Sequence, residues 1–416
     1  MLSSVLAGCG SSGGGTPTLT WYTNPDSGGQ AELAARCTDE AGGRYRIETS
    51  VLPREASAQR EQLVRRLAAN DASIDIMSLD PPFIPELAEP GFLAPVPEDV
   101  AQSTTENIVD GALAGATWKG ELVTVPFWAN TQILWYRTSV AEAAGLDMTQ
   151  PVTWDQIIEA ARSQEKTLGV QGAQAESMTV WVNALIESAG GSIVIDPEAP
   201  ADDVELGLDT EEGVEAARVI STIGEEGLGG PGLPTQDENA SLIAFRGDSG
   251  SFMVNYPFVW PATNAAVEEG AVDQAVLDDI GWAVFPRMAE DQESAPPLGG
   301  IDLGVGAESD NPELAFEAVQ CIVSVENQAE YFVTNGNPPS NTEAYNDPRI
   351  AETFPMAETI RDSLQIAAPR PQTPFYNEVS TGIQQTWTPP ADVDPEVTPE
   401  MSSNFITAVL RGEQLL

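Results

Sequence analysis

Residues 126–137 read P-F-W-A-N-T-Q-I-L-W-Y-R, and this stretch decides the predicted fold. It connects a strand-like run at 122–126 to a second apolar run that ends at Arg137, and the polar residues Asn130, Thr131 and Gln132 separate the two. A polar break between two buried strands indicates a chain that passes from one lobe to another, with polar side chains facing the gap. The alternative is an ordinary pair of strands joined by a polar turn, and the stretch alone leaves both open.

Length and charge limit the classes of protein that this chain can belong to. A chain of 416 residues is too long for one typical core, which predicts two domains. The formal net charge is −46, and such a surface repels nucleic acid and anionic membranes, so neither is an expected partner. No apolar run is long enough to span a bilayer.

The sequence contains no histidine. This excludes Ser-His-Asp and Cys-His nucleophile systems and the common imidazole metal sites. Enzymes that rely on paired carboxylates remain possible. The composition therefore favours a protein without catalytic activity, and no cofactor or metal is predicted.

One of the three cysteines lies in a distinctive context. Cys9 ends the sequence L-A-G-C and is followed by G-S-S-G-G-G, which resembles the lipobox and flexible tether of a bacterial lipoprotein. Residues 1–16 are accordingly interpreted as a signal remnant and tether, with Cys9 as the lipid anchor. The alternative is a chance match in a cytosolic protein. An anchored Cys9 leaves two cysteines outside the cell, where disulfides persist.

The first eighty residues predict alternating strands and helices. The predicted strands are 18–23, 45–52 and 74–79, and the predicted helices are 30–39 and 56–69. This order implies a parallel sheet with helices on both faces, whose ligands bind at the carboxyl ends of strands. Asn24, Asp26 and Asp80 fall at such ends. Each is a candidate ligand contact, and each could instead be a turn former or helix cap.

Several stretches along the chain carry a resemblance to a known family. They are 33–39, 65–67, 75–80, 130–137, 188–192, 254–259 and 370–374. With these stretches the chain resembles the extracellular solute-binding proteins of bacterial ABC importers, carbohydrate class (family 1), which include the maltose-binding proteins. More narrowly, it resembles the trehalose-binding lipoproteins of mycobacteria and related actinobacteria.

The resemblance implies an α/β, two-lobe periplasmic-binding-protein fold of type II, like that of maltose-binding protein, which closes about hinge crossings. The crossings are expected near 126–130, 285–287 and 324–328. The first lobe would comprise 17–128 plus 287–326, and the second 129–286 plus 327–416. The resemblance also places Cys37 and Cys321 on helices of the first lobe, where a disulfide is feasible; a reduced pair is the alternative.

The resemblance further implies a set of sugar-binding residues. The positions that match the relatives' sugar contacts are Asp80, Asn130, Glu238 and Arg370. Tyr256 stands where the relatives have the tryptophan of an N-W-P-F motif, so an aromatic face is retained. Weaker candidates are Asn24, Asp26, Trp260 and Gly300. Carboxylates, amides and a guanidinium suit a sugar, because each hydroxyl both donates and accepts hydrogen bonds.

The function that these features imply is a receptor without enzymatic activity. It would be lipid-anchored at the extracellular face of the cell membrane, monomeric, and would bind trehalose or a related disaccharide for delivery to ABC permease transmembrane subunits. One alternative is a binding protein for another disaccharide, a polyol or a glycerophosphodiester. Another is a secreted glycoside hydrolase that uses a carboxylate pair such as Asp80 and Glu238. An anionic ligand is disfavoured, since Arg370 is the one evident cation among the candidates.

Overall fold

The computed structural model describes residues 15–416, so the predicted lipid anchor at Cys9 lies outside the described residues. No helix within 15–416 is both long and apolar enough to cross a membrane. The strands are β1 (Thr18–Thr23), β2 (Arg46–Val51), β3 (Ile76–Leu79), β4 (Thr117–Trp118), β5 (Glu121–Leu122), β6 (Val125–Thr131), β7 (Ile133–Arg137), β8 (Thr167–Gly169), β9 (Gly250–Asn255), β10 (Ile280–Ala283), β11 (Pro297–Val305) and β12 (Ala368–Pro369).

Helices outnumber strands in the described chain. They are α1 (Gly29–Glu40), α2 (Ala56–Leu67), α3 (Ile84–Ala88), α4 (Glu98–Thr104), α5 (Asp110–Gly115), α6 (Thr138–Ala144), α7 (Trp154–Ser163), α8 (Glu176–Ser188), α9 (Glu211–Glu225), α10 (Glu238–Arg246), α11 (Val259–Glu268), α12 (Gln274–Asp278), α13 (Pro312–Ile322), α14 (Val325–Asn335), α15 (Pro348–Thr353), α16 (Ala357–Ile366), α17 (Tyr376–Thr386) and α18 (Thr398–Leu410). Short 3₁₀ turns lie at Pro81–Phe83, Ala201–Asp203, Leu233–Thr235, Thr342–Asn346 and Pro390–Asp392.

The first lobe is built on a six-stranded sheet in which β11, β3, β1 and β2 follow one another, and β11 also pairs with β12 and with β6. β1 runs parallel to both β2 and β3, as the predicted β-α-β-α-β order requires. Alternate side chains enter opposite faces of this sheet. Trp21 and Ile76 pack in one apolar cluster, whereas Tyr22 and Met77 pack in the cluster on the other face.

The second lobe is built on a smaller sheet in the order β10, β7, β9, β8. β6 pairs with β11 of the first sheet as far as Thr131, and β7 pairs with β9 of the second sheet from Ile133 onward. The chain therefore passes from the first sheet to the second at Gln132, just beyond the expected 126–130 segment. The polar junction differs from the prediction in one respect, because Thr131 and Gln132 are buried and only Asn130 reaches the gap.

The chain returns to the first sheet between β10 and β11. Arg287 still belongs to the second lobe, because its N–H donates to Val152 O (2.9 Å) and its carbonyl accepts from Trp154 N (3.0 Å). The crossing thus falls after the expected 285–287 segment. The third crossing region lies at α14, where Tyr331 packs in a first-lobe cluster and Phe332 packs in a cluster that also holds Trp135 of β7.

The architecture is the predicted α/β two-lobe fold. A disulfide between Cys37 of α1 and Cys321 of α13 links two helices of the first lobe, with the Cα atoms 5.9 Å apart. This bridge stabilises the lobe whose strand ends carry Asn24 and Asp80.

Candidate ligand-binding site between the lobes

A cavity of about 360 Å³ lies between the two lobes. Its lining combines the carboxyl ends of β1 and β3, the paired strands β6 and β11, and the first turns of α8 and α10. The lining residues are Asn24, Pro25, Gln30, Arg54, Ala56, Gln59, Asp80, Trp128, Asn130, Glu176, Ser177, Val180, Glu238, Tyr256, Gly299, Gly300, Ile301, Tyr331, Asn337 and Arg370.

Most of the candidates chosen from the sequence line this cavity. They are Asn24, Asp80, Asn130, Glu238, Tyr256, Gly300 and Arg370. Asp26 is not in the lining; its carboxylate accepts from Gln30 N (2.8 Å) and from Tyr331 OH (3.1 Å), so it orders the start of α1. Trp260 is not in the lining either, and its ring meets Trp282 edge-on at 5.7 Å.

The floor of the cavity is formed by β6 and β11. Along β6, Trp128 and Asn130 face the cavity while Phe127 and Ala129 are buried on the other side, as the two-residue period of a strand requires. Their cross-strand partners are Ile301 and Gly299, which also line the cavity.

Two neighbouring glycines in this floor have different reasons for lacking a side chain. Gly300 has φ of 135°, and a Cβ atom there would lie 2.2 Å from the carbonyl oxygen of Trp128. A Cβ atom at Gly299 would meet nothing closer than Arg370 Nη2 at 3.9 Å. Gly300 therefore permits the close approach of β6 and β11, whereas a methyl group at Gly299 would fit in ordinary van der Waals contact with the Arg370 guanidinium.

Arg370 joins the two lobes across the cavity. It follows β12, its side chain is 6% exposed, and its Nη2 donates to Asp80 Oδ1 (2.5 Å) at the end of β3 in the first lobe. Its Nη1 donates to Glu176 Oε1 (2.7 Å) at the start of α8 in the second lobe. Charge-assisted hydrogen bonds of this kind are the strong ones in proteins. The guanidinium is thus held between two carboxylates from opposite lobes.

The hydroxyls of α17 fix Glu176 in turn. Ser380 Oγ donates to Glu176 Oε2 (2.6 Å), and Tyr376 OH donates to Glu176 Oε1. Gln384 Nε2 donates to Ser380 Oγ (2.9 Å), which completes a polar chain behind the carboxylate. The carboxylate position is therefore set by a helix of the second lobe as well as by Arg370.

Burial and charge act in opposite directions on these groups. Burial raises the pKa of Asp80 above its usual range, although the Arg370 guanidinium opposes the shift. Burial alone would lower the pKa of Arg370, but Asp80, Tyr376 and Glu176 hold it well above its usual range, so Arg370 stays charged. Burial, with Asp237 and Glu55 nearby, also raises the pKa of Glu238. The cavity lining holds more carboxyl groups than guanidinium groups, and its buried cation, Arg370, is already paired.

Sequence reasoning did not identify several residues of the site. Glu176 is the most important, because its role depends on Arg370, 194 residues later in the chain. Its local signal is an acidic residue in the first turn of a helix, which is common for helix stability alone. Gln59 was missed too; it accepts from Asn24 Nδ2 (2.8 Å) and orients that amide.

The fold and the interlobe cleft define a periplasmic binding protein of type II, like maltose-binding protein. Maltose-bound MalE3 of T. maritima superposes with a TM-score of 0.76 at 23% identity, covering 95% of this chain and 100% of that chain. The sugar-binding protein MalE of Xanthomonas citri gives a TM-score of 0.79 at 16% identity, covering 95% and 98%. These similarities establish the fold.

The chain belongs to the family of bacterial extracellular solute-binding proteins, whose model matches residues 32–357. It is 24% identical to a probable ABC transporter-binding protein of Deinococcus radiodurans, over 79% of this chain and 78% of that protein. It is 24% identical to the maltotriose-binding protein of Pyrococcus abyssi, over 73% of this chain and 62% of that protein. It is 23% identical to the mannitol-binding protein of Pseudomonas aeruginosa, over 57% and 53%.

Family membership confirms the coarser part of the prediction. The chain is an extracellular solute-binding protein of the ABC-transporter type, and the family and the structural neighbours are substrate-binding proteins rather than enzymes.

Proposed function

We propose that this chain is the substrate-binding component of an ABC sugar importer and that it binds trehalose or a related disaccharide between its lobes. The observation that carries the proposal is the composition of the interlobe cavity. Carboxylates, an amide and a guanidinium from both lobes converge on one space of about 360 Å³. That volume lies within the range of sites for small molecules, about 300–1,000 Å³.

The polar groups of the cavity match the chemistry of a neutral, polyhydroxylated ligand. The carboxylates of Asp80 and Glu238 accept from hydroxyls, and the N–H groups of Arg370 donate to them. Tyr256 and Trp128 add aromatic rings to the lining, which suits the apolar faces of a sugar. Buried polar groups of this kind discriminate strongly against ligands that lack the matching hydroxyls.

The names of the relatives support a sugar or polyol, and the charge of the site argues against an anion. Asp80, Glu176 and Glu238 would all repel the phosphate of a glycerophosphodiester. A polyol is the nearest rival, since one relative is named as mannitol-binding.

The proposal includes attachment to the outer face of the membrane through Cys9 and delivery of the ligand by a monomer to permease subunits. Cys9→Ser should then release the protein from the membrane fraction.

A thermal-shift screen tests the ligand assignment. Trehalose at about one hundred times its Kd should stabilise the protein by about 2.7 kcal/mol, which raises the melting temperature by several degrees. Maltose, mannitol and glycerophosphocholine serve as comparisons in the same screen. Stabilisation by one of these and none by trehalose would refute the trehalose assignment, and turnover of any sugar would refute a pure binding function.

Asn130→Ala links the shift to the proposed site with little risk to folding. The hydrogen bond that Asn130 makes with its side chain is local, from Thr131 N (3.0 Å), so its loss should change stability little. The lost ligand hydrogen bonds should weaken trehalose binding by roughly tenfold. Asn346→Ala makes the same chemical change at an exposed position and should bind like the wild type. Equal affinities for the two variants would place the ligand elsewhere.

A further inference from the structure

The guanidinium of Arg370 is bound by two carboxylates, although one carboxylate would neutralise its charge. One carboxylate, Asp80, is sufficient to pair it, yet Glu176 is bound as well at 2.7 Å. Two of its five N–H groups are used in these contacts. The remaining N–H groups can donate to ligand hydroxyls, while the positive charge of the guanidinium lies against two carboxylates.

Glu176 is not free to leave this arrangement when a ligand enters. Ser380 Oγ and Tyr376 OH both donate to it from α17, and Ser380 is itself held by Gln384. A ligand that competes for Arg370 must therefore displace a carboxylate that has four hydrogen-bond donors around it, counting Gln384 Nε2 at 3.5 Å. Preorganised groups of this kind favour ligands that complement them and reject those that do not.

The cavity floor next to the guanidinium carries no side chain at Gly299, so a ligand can approach Arg370 there and charge contributes to its selectivity. The position of a Cβ atom on Gly299 lies 3.9 Å from Arg370 Nη2, and both residues line the cavity. Arginine is a common receptor for phosphate in proteins. Here an incoming phosphate would meet a guanidinium whose charge is already balanced, with a further carboxylate at Glu238 in the same cavity.

We infer that Glu176 is a specificity-determining residue that excludes anionic sugars from the cleft. By holding Arg370 against Asp80, it leaves the guanidinium as a donor to hydroxyls and suppresses it as a receptor for phosphate. This inference rests on the proposed function in the same cavity. Loss of the Glu176 charge should therefore change the class of ligand, from neutral sugars towards phosphorylated ones.

The test compares trehalose with trehalose 6-phosphate by isothermal titration calorimetry, on wild type and Glu176→Gln. The glutamine keeps the size of the side chain and removes its charge. The ratio of association constants, phosphorylated over neutral, should rise by at least about tenfold in the variant. A gain for an anion is an effect that general damage to the site does not produce. Inorganic phosphate at low ionic strength serves as a second anionic probe.

Three further variants distinguish the effect of the carboxylates bound to Arg370 from other effects of substitution in the cavity. Glu176→Asp retains the charge and should keep the wild-type preference, even if both affinities fall. Glu238→Gln removes one negative charge from the cavity without releasing Arg370, and should raise the ratio much less. Asp80→Asn releases the other side of the guanidinium and should raise the ratio as Glu176→Gln does, which provides the test if Glu176→Gln does not fold.

The outcomes distinguish this inference from the proposed function. If wild type binds trehalose and neither Glu176→Gln nor Asp80→Asn gains affinity for the anions, the inference is wrong and the proposed function stands. A wild type that binds trehalose 6-phosphate more tightly than trehalose also overturns the inference. If wild type binds another neutral sugar or polyol, that ligand and its phosphate replace the trehalose pair, and the trehalose assignment alone fails.

Discussion

Gly300→Ala should destabilise the protein, and the structure allows the size of the effect to be worked out. The φ of Gly300 is 135°, where a residue with a Cβ atom is strained by about 1–3 kcal/mol. The new methyl group would lie 2.2 Å from Trp128 O and 2.9 Å from Ala129 Cα, so β6 and β11 must separate. Overpacking of this kind costs about 1–3 kcal/mol more.

One effect of the substitution acts in the opposite direction. Alanine reduces the conformational freedom of the unfolded chain, which stabilises the folded state by about 0.4–1 kcal/mol. The net loss is therefore about 3 kcal/mol. Since the entropy of unfolding is about 2.1 cal/mol/K per residue, the melting temperature of this 416-residue chain should fall by roughly 3–4 °C. Circular dichroism during thermal and urea unfolding measures both quantities.

Gly299→Ala is the matched control for this prediction. It is the adjacent residue of the same strand, and its Cβ position lies 3.9 Å from Arg370 Nη2, the nearest atom outside the flanking residues. We expect its stability to lie within about 1 kcal/mol of the wild type, since only the unfolded-state effect remains. Its methyl group instead fills space beside the guanidinium and should weaken ligand binding. Equal destabilisation by the two substitutions, or a Gly300→Ala variant as stable as the wild type, would refute this reasoning.

Two other predictions concern stability outside the cavity. Burial raises the pKa of Glu187 to about 7, so the folded state holds its proton more tightly than the unfolded state, and stability falls as pH rises from about 4.5 to about 7. The free energy of unfolding of Glu187→Gln, measured with urea, should therefore exceed that of the wild type by up to about 3 kcal/mol at pH 8 and equal it at pH 4.5. Glu226→Gln, at an exposed position, should not raise the free energy of unfolding at pH 8. Replacing Cys37 and Cys321 by serine opens a link between positions 284 residues apart and should cost about 3–5 kcal/mol; a reducing agent should lower the melting temperature of the wild type but not of this variant.

The parts of the fold that depend on local pattern were predictable from the sequence. The apolar runs at 18–23 and 74–79 became the parallel strands β1 and β3, because each buries side chains on both faces of the sheet. The carboxyl ends of parallel strands meet at one edge, so Asn24 and Asp80 reach the cavity together. For these two residues, a position at the end of a predicted strand was enough to predict that they line the ligand site.

The residues that were not predictable depend on partners far away in the chain. Asp26 has the same strand-end signal as Asp80, but it is held by hydrogen bonds to Gln30 N and Tyr331 OH. Local capping competes with ligand contact for such carboxylates, and sequence alone does not decide which prevails. Glu176 and Arg370 are brought together only by the crossing of the chain between the lobes.

The position of the lobe crossing connects the hinge to the ligand site. Thr131 pairs with Leu298 in the first sheet, so it moves with the first lobe. Gln132 is anchored to the second lobe, because its Nε2 donates to Gln171 Oε1 (3.1 Å), and Gln171 Nε2 donates to Val254 O (2.9 Å). Any rotation of one lobe relative to the other must therefore be absorbed, along this connection, between two adjacent residues. Asn130 lies directly before them and lines the cavity, so we expect a ligand that fixes its amide to restrain rotation at this connection as well.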